Sequence, residues 1–70
     1  MGKLIYKDLD RIIVEFTANE YEVKGFDAVW DEIRVVYKEE YELVEHYYSN
    51  DDKIINFVLD KKHKKEKVFN

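Results

Sequence analysis

Few side chains in this 70-residue sequence could take part in catalysis. Cysteine is absent, and the only serine and the only threonine are Ser49 and Thr17. Ser49 stands three residues before Asp52 and just ahead of an apolar run, which is the spacing of a helix-capping box. Thr17 falls in a predicted strand. Neither hydroxyl is therefore expected to act as a nucleophile.

The two histidines do not complete a metal site. His46 follows Glu42 by four residues, so on a helix the two side chains would share one side and could supply two ligands. No third ligand type stands near them. A helical projection places His46 roughly opposite the apolar stripe, on the solvent side. We therefore expect neither a metal nor another cofactor.

Neither Gly25 nor the acidic residues predict a phosphate-binding or catalytic site. Gly25 lies between a predicted strand and a predicted helix, where a phosphate-binding loop could lie, but no Lys-Ser or Lys-Thr pair follows it. The chain has 16 acidic residues, so the proximity of two carboxylates carries little information. Because the sequence lacks a recognisable nucleophile, metal site and phosphate loop, we predict that the protein is not an enzyme and has no small-molecule substrate.

Charge is distributed unevenly along the chain, whose formal net charge is −4. Residues 27–52 carry nine acidic and two basic side chains, a net charge of −7. Residues 53–70 carry six basic and two acidic side chains, a net charge of +4. Surfaces of opposite sign can attract different partners, or each other.

The first 25 residues are predicted to form three strands, over residues 3–7, 11–17 and 21–24. The second strand is rich in β-branched and aromatic residues, with Ile12, Val14 and Phe16 on one face. The third alternates apolar and charged residues, and Gly25 ends it. We therefore expect a three-stranded antiparallel meander over residues 1–25, with an apolar face that another element must cover.

Residues 26–48 show helical periodicity. Apolar and aromatic residues recur at intervals of three or four, at Phe26, Trp30, Ile33, Tyr37, Tyr41, Val44 and Tyr48. This pattern predicts one long amphipathic helix whose first half covers the meander. Glu40 falls inside the apolar stripe, so it must be paired, or the helix must bend or end there, or that face must be exposed.

The segment after the predicted helix admits two interpretations. Apolar residues at helical spacing, followed by lysines, favour a second and shorter helix over residues 50–65. A fourth strand is the alternative, because the run KIINFVL is rich in β-branched residues. With residues 66–70 expected to fray, the chain is predicted to be a single α+β domain.

Nothing in the sequence predicts a membrane or secreted protein. Charged residues interrupt residues 1–16, so the apolar core of a signal peptide is missing. No apolar run approaches the ~20 residues that span a bilayer. We expect a cytoplasmic protein that does not bind membranes.

The second half of the predicted helix is the favoured binding surface, because it would overhang a sheet of short strands. Its tyrosines supply contact area and a hydroxyl, and tyrosine is enriched at interfaces. Its acids could imitate a phosphate backbone. We therefore predict a non-catalytic interaction module or inhibitor, directed against a protein that could itself bind nucleic acid. The predicted protein-binding residues are Glu39, Glu40, Tyr41, Glu42, Glu45, Tyr47, Tyr48, Asp51 and Asp52.

Other functions stay open at this point. A nucleic-acid-binding module would contact phosphates through the lysine-rich end of the chain, at Lys61, Lys62, Lys64, Lys65 and Lys67. A structural homo-oligomer would pair the overhanging helix with its own copy across a two-fold axis. Alternatively, residues 54–59 fold back and bury the tyrosines within one chain.

Overall fold

A computed structural model describes residues 2–37 and 40–62 of the chain. The elements follow the order β1 (Lys3–Lys7), β2 (Arg11–Thr17), α1 (Ala18–Lys24), α2 (Phe26–Tyr37), β3 (Tyr41–Ser49) and β4 (Ile54–Lys61). The strands form one antiparallel sheet in the order β1-β2-β4-β3. The predicted α+β class is confirmed, with four strands in place of the three-stranded meander.

One face of the sheet carries the hydrophobic core, beneath the two helices. The core side chains come from β2, β4 and α2, and they are Ile12, Val14, Phe16, Ile55, Phe57, Leu59, Val29 and Ile33. Phe57 and Val29 are fully buried, at 0% exposure. The rings of Phe16 and Phe57 meet edge to face with their centroids 5.7 Å apart, the arrangement that aromatic pairs prefer.

Residues 18–24 form helix α1, so the predicted third strand over residues 21–24 is wrong. Thr17 caps this helix, because its Oγ1 accepts a hydrogen bond of 3.1 Å from the backbone N–H of Glu20. One turn later, the Nζ of Lys24 lies 2.8 Å from the Glu20 carboxylate. The capping spacing and the i, i+4 ion pair both favour a helix over the strand-like alternation.

Gly25 separates the two helices at a backbone conformation that favours glycine. Its φ is +89°, and its N–H donates a hydrogen bond of 2.8 Å to the carbonyl of Tyr21. A side chain at this φ would be strained. Gly25 therefore ends α1 and lets α2 begin at the next residue.

The predicted helix over residues 26–48 is wrong beyond Tyr37, where α2 ends. Residues 41–49 form an edge strand, β3, that pairs with β4. A bulge between Leu43 and Glu45 adds one residue to β3. Residues seven apart, such as Tyr41 and Tyr48, then share one face, as they would on a helix. The bulge thus gives a strand the appearance of helical spacing.

Glu40 lies exposed at a bend just before β3. Its backbone N–H donates a hydrogen bond of 3.3 Å to the carbonyl of Tyr37, and its carbonyl accepts one of 2.8 Å from the N–H of Lys62. The conflict between Glu40 and an apolar helix face is therefore resolved by the end of the helix.

Residues 54–61 form β4, so the alternative of a fourth strand is confirmed and the second helix over residues 50–65 is wrong. β4 lies between β2 and β3. Its residues 55–59 are all buried, although they alternate between the two faces of the sheet. Because β4 is a central strand, side chains on both of its faces are buried between neighbouring strands, and periodicity alone does not distinguish such an apolar run from a buried helix.

The turn from β3 to β4 contains three consecutive residues in the left-handed region. The φ angles of Asn50, Asp51 and Asp52 are +53°, +57° and +65°. Asn and Asp adopt this region more readily than other residues with a Cβ, and glycine adopts it most readily. The turn therefore holds local strain that a glycine would relieve.

Substitution of Asp52 tests this turn. Asp52→Gly and Asp52→Ala remove the same charge, but only the glycine variant removes the Cβ. We expect the glycine variant to unfold with a free energy about 1 kcal/mol above that of the alanine variant. This corresponds to a melting temperature roughly 4–8 °C higher by circular dichroism. An alanine variant of equal or greater stability would contradict the left-handed turn.

Candidate functional site

In the part of the chain that the structure describes, both helices lie on one face of the sheet, and we call the opposite side, on which no described helix lies, the uncovered face. Because side chains alternate along a strand, the strand register assigns the residues of this face. Four rows of side chains cross it in register, and they are Arg11–Asp60–Glu42, Tyr6–Ile13–Val58–Glu45, Lys3–Glu15–Asn56–Tyr47 and Thr17–Ile54–Ser49.

The uncovered face has an apolar centre. Val58 is only 2% exposed, although neither helix lies on this side, and Ile13 beside it is half-buried. Tyr6 and Tyr47 flank them and are 45% and 43% exposed. A sheet face that is left to solvent is normally polar. An apolar centre with exposed tyrosines is instead typical of a contact surface.

The acidic side chains of β3 and its flanking turns form no ion pair within residues 2–37 and 40–62. These residues are Glu40, Glu42, Glu45, Asp51 and Asp52. Ion pairs do engage acids elsewhere, since Lys24 contacts Glu32 at 3.0 Å and Arg34 contacts Asp31 at 2.7 Å. Negative charge outside ion pairs is therefore concentrated along β3 and its turns, within the described residues.

Glu42 and Asp60 form a like-charge pair across β3 and β4. The guanidinium of Arg11 holds Asp60 through two hydrogen bonds, with Nε 2.6 Å from Oδ1 and Nη2 3.2 Å from Oδ2. This contact raises the pKa of Arg11. Glu42 forms no ion pair in the described segments and stands opposite Asp60, and like charges in this position destabilise an antiparallel pair to the extent that Arg11 does not offset them.

The structure brings together only part of the predicted protein-binding set. Glu42, Glu45 and Tyr47 lie together on the uncovered face, at the β3 edge. Three further acids are exposed at the two ends of β3, and they are Glu40, Asp51 and Asp52. Glu39 lies outside the described residues.

Tyr41 and Tyr48 lie on the helix side of β3, away from the uncovered face. The half-buried ring of Tyr41 meets Tyr37 edge to face at 5.9 Å between centroids. Tyr48 meets Tyr21 of α1 in the same way at 6.3 Å. Burial, followed by the negative charge of Glu22, raises the pKa of Tyr48. These two tyrosines therefore connect β3 to the helices and do not extend the acidic surface.

His46 is exposed, as predicted, but it lies on strand β3 and not on a helix, and its ring contacts aromatic side chains on the helix side of the sheet. Its ring centroid lies 5.5 Å from Phe57, 5.6 Å from Phe26 and 6.5 Å from Tyr21. The strand directs His46 and Glu42 to opposite faces, so they do not form a two-ligand site. Among the residues described, no three His, Cys, Asp or Glu side chains are placed to hold a metal ion.

Of the predicted nucleic-acid-binding lysines, the structure describes Lys61 and Lys62, which are exposed at the end of β4. Their backbone N–H groups donate to the carbonyls of Asp10 at 2.7 Å and Glu40 at 2.8 Å. The remaining lysines of that prediction, Lys64, Lys65 and Lys67, lie outside the described residues.

Sequence reasoning missed Asn56, which lies on the uncovered face beside Tyr47. Asn56 is 5% exposed, and its Nδ2 donates a hydrogen bond of 2.9 Å to Oγ of Ser49. Its Oδ1 is buried and accepts no hydrogen bond in the described part of the chain. A buried acceptor without a donor costs about 1–3 kcal/mol. A single asparagine inside the apolar run of β4 was the available sequence signal.

A pocket of about 530 Å³ opens at one end of the sheet and is lined by Tyr6, Asp8, Leu9, Asp10, Arg11 and Asp60. The carboxylate of Asp8 accepts a hydrogen bond of 2.6 Å from the Tyr6 hydroxyl. It also accepts hydrogen bonds from the backbone N–H groups of Asp10 and Arg11, at 2.8 Å and 2.9 Å. These bonds, that of Tyr6 foremost, lower the pKa of Asp8. Asp8 therefore fixes the turn between β1 and β2.

Comparisons with known proteins do not assign a family. No protein-family model matches the chain, and neither a curated protein nor a solved structure matches it significantly. Neither helix of the described segments is long and apolar enough to cross a bilayer. The functional proposal therefore rests on the surface itself.

The lowered pKa of Asp8 predicts a pH-dependent contribution to stability. A depressed folded-state pKa stabilises the fold above the unfolded value, about 3.9, and that contribution is lost as pH falls through the folded value. Asp8→Asn should therefore lower stability to urea at pH 7 and match the parent chain near pH 2.

Tyr6→Phe is the matched control for Asp8, because it removes the hydrogen bond that Asp8 accepts from the hydroxyl. The loss of stability in this variant should also shrink as pH falls. A loss that stays constant from pH 7 to pH 2 in both variants would be inconsistent with the proposed role of the Asp8 carboxylate.

The like-charge pair predicts that loss of the Glu42 charge stabilises the fold. Glu42→Gln should raise the melting temperature by roughly 1–5 °C at low ionic strength, given the usual strength of cross-strand pairs. The gain should vanish in 1 M salt, where the screening length falls to about 3 Å. Glu22→Gln removes the same charge from α1 and should change the melting temperature less. Equal shifts in the two variants would argue against repulsion between Glu42 and Asp60.

Proposed function

We propose that this chain is a small protein-interaction module that binds a positively charged protein through β3 and the adjoining uncovered face. The observation that carries this proposal is the set of carboxylates along β3 that form no ion pair in the described part of the chain, beside the exposed ring of Tyr47. Carboxylates that form no ion pair attract a basic partner and orient it, while tyrosine supplies contact area.

The like-charge pair adds an energetic argument. A lysine or arginine of the partner would neutralise Glu42 and relieve its repulsion with Asp60. Binding would therefore recover free energy that the isolated chain does not gain on folding. This supports an interaction surface maintained at some cost to stability.

We favour a partner that itself binds nucleic acid. Such a protein presents a basic surface for phosphates, and β3 presents a row of acids to it. The chain would then act as an inhibitor, because its acids occupy the surface that the nucleic acid needs.

The geometry gives less support to a homo-oligomer formed through β3. Two β3 strands side by side would bring the acids of both copies together, which is unfavourable. The bulge between Leu43 and Glu45 also interrupts the regular hydrogen-bonding edge. Binding of nucleic acid through the C-terminal lysines stays a prediction.

Binding to a fluorescein-labelled lysine peptide of twenty residues tests the proposal. The variant Glu42→Gln/Glu45→Gln should weaken binding at least tenfold in fluorescence anisotropy at low salt. The matched variant Glu22→Gln/Asp27→Asn removes two exposed acids from the helices and should change the affinity less than twofold. Exposed charges further apart than about 10 Å are largely screened at 0.1 M salt, so their position matters.

Two outcomes bear on the proposal. Displacement of a DNA duplex from the peptide by the parent chain, but not by the Glu42→Gln/Glu45→Gln variant, would support charge mimicry. An equal loss of affinity in the two double variants would show that binding follows net charge alone, and would overturn the proposed surface.

A further inference from the structure

Both edges of the sheet resist the addition of a partner strand. β1 has a bulge between Leu4 and Tyr6, and β3 has one between Leu43 and Glu45. Each edge also carries charges of one sign, with lysines on β1 and glutamates on β3. Bulges and edge charges are the devices by which natural sheets avoid edge-to-edge pairing. A partner protein is therefore expected to bind to a face of the sheet and not to add a strand at an edge.

The uncovered face offers what such a partner needs. The row of Tyr6, Ile13 and Val58 crosses three strands, and the part of it that a partner can contact is the exposed ring of Tyr6 and the half-buried Ile13 above the buried Val58. Helices or a second sheet normally cover an apolar sheet face. On the opposite face of this sheet, α1 and α2 already take that role.

The charges on the uncovered face favour binding of a different, basic protein over binding of a second copy of this chain. The uncovered face carries four acids and two bases, and they are Glu15, Glu42, Glu45, Asp60, Lys3 and Arg11. Two copies stacked through this face would oppose two surfaces of the same net sign. A basic partner would meet the acids of β3 with charges of opposite sign.

We propose that the uncovered face is the docking site for a basic amphipathic helix of another protein, with its apolar stripe on Tyr6, Ile13 and Tyr47 and its cations against Glu42 and Glu45. This inference rests on the proposed function and adds to it the form of the partner and the surface that receives it. A helix is about 10 Å wide, and four strands span roughly 14 Å between the outer axes, so one helix fits the face.

Asn56 supports the same site independently. Its side chain is buried on the uncovered face next to Tyr47, and its Oδ1 accepts no hydrogen bond within residues 2–37 and 40–62. Lysine and arginine side chains carry donors only. A cation of the partner helix that reaches past Tyr47 would supply the donor that Oδ1 lacks.

The experiment compares two synthetic peptides of eighteen residues with the same composition of leucine and lysine. One has the spacing of an amphipathic helix, and the other is scrambled so that no apolar face forms. The parent chain should bind the amphipathic peptide at least tenfold more tightly than the scrambled one. Ile13→Thr/Tyr47→Ser should reduce this preference to less than threefold.

Val23→Thr/Val35→Thr is the matched control, since it removes exposed apolar area from the helix side of the chain. It should leave the preference for the amphipathic peptide unchanged. An equal loss of preference in both double variants would overturn the assignment to the uncovered face.

The outcomes separate this inference from the proposed function. If the two peptides bind equally and both depend on Glu42 and Glu45, the interaction module stands and the helix-docking site is wrong. If the affinity of neither peptide depends on Glu42 and Glu45, both proposals fail. A tenfold preference that the Ile13→Thr/Tyr47→Ser variant loses supports both.

A measurement on the unmodified chain tests the docking site even if the Ile13→Thr/Tyr47→Ser variant does not fold. In a ¹⁵N–¹H spectrum, the side-chain amide of Asn56 should shift when the amphipathic peptide is added and stay in place with the scrambled one. The amide of Asn19, which is exposed on α1, serves as the internal reference. An unchanged Asn56 amide at saturating peptide would contradict the docking site.

Discussion

The rest of the structure depends on the burial of strand β4. This strand pairs with β2 on one side and β3 on the other, and Phe57 at its middle is fully buried. The ring of Phe57 lies within 6.2 Å, centroid to centroid, of rings from β2, α1, α2 and β3. Because β4 occupies the interior, β3 is left at the edge, and its acids face solvent.

Two polar features of β3 and β4 are expected to lower the stability of the fold. A chain of this length buries a small fraction of its surface, so its margin of stability is narrow. Even so, Glu42 stands opposite Asp60, and the buried Oδ1 of Asn56 has no donor among the described residues. Features of these two kinds weaken a fold, and both lie on the uncovered face. Their coincidence is the physical reason for placing the function there.

The sequence alone predicted helix α2 as far as Tyr37, strands β1 and β2, and the α+β class. It does not predict α1, because the alternation of residues 21–24 is shared by a strand and a short helix, and Thr17, which caps α1, is also the last residue of β2. It did not predict β3, because the bulge after Leu43 restores a seven-residue spacing that a regular strand lacks. Residues 41–49 form a strand and not a helix because they pair with β4, and this pairing is a tertiary interaction that the local sequence does not show.

The candidate surface was predictable only in part. Glu42, Glu45 and Tyr47 were identified from their residue types, but a helix would have separated them from β4. Ile13, Val58 and Asn56 could not be joined to them, because the register between β2, β4 and β3 is what makes them neighbours. Residue type thus indicated the chemistry, and strand register determined the surface.

Amide chemical-shift mapping of the parent chain with the twenty-residue lysine peptide tests the central claim most directly. The account predicts that the largest shifts fall on β3 between Glu42 and Tyr47 and on the neighbouring outward-facing residues of β4, with α1 and α2 little changed. Shifts concentrated on the helices, or spread evenly over all exposed acids, would contradict it.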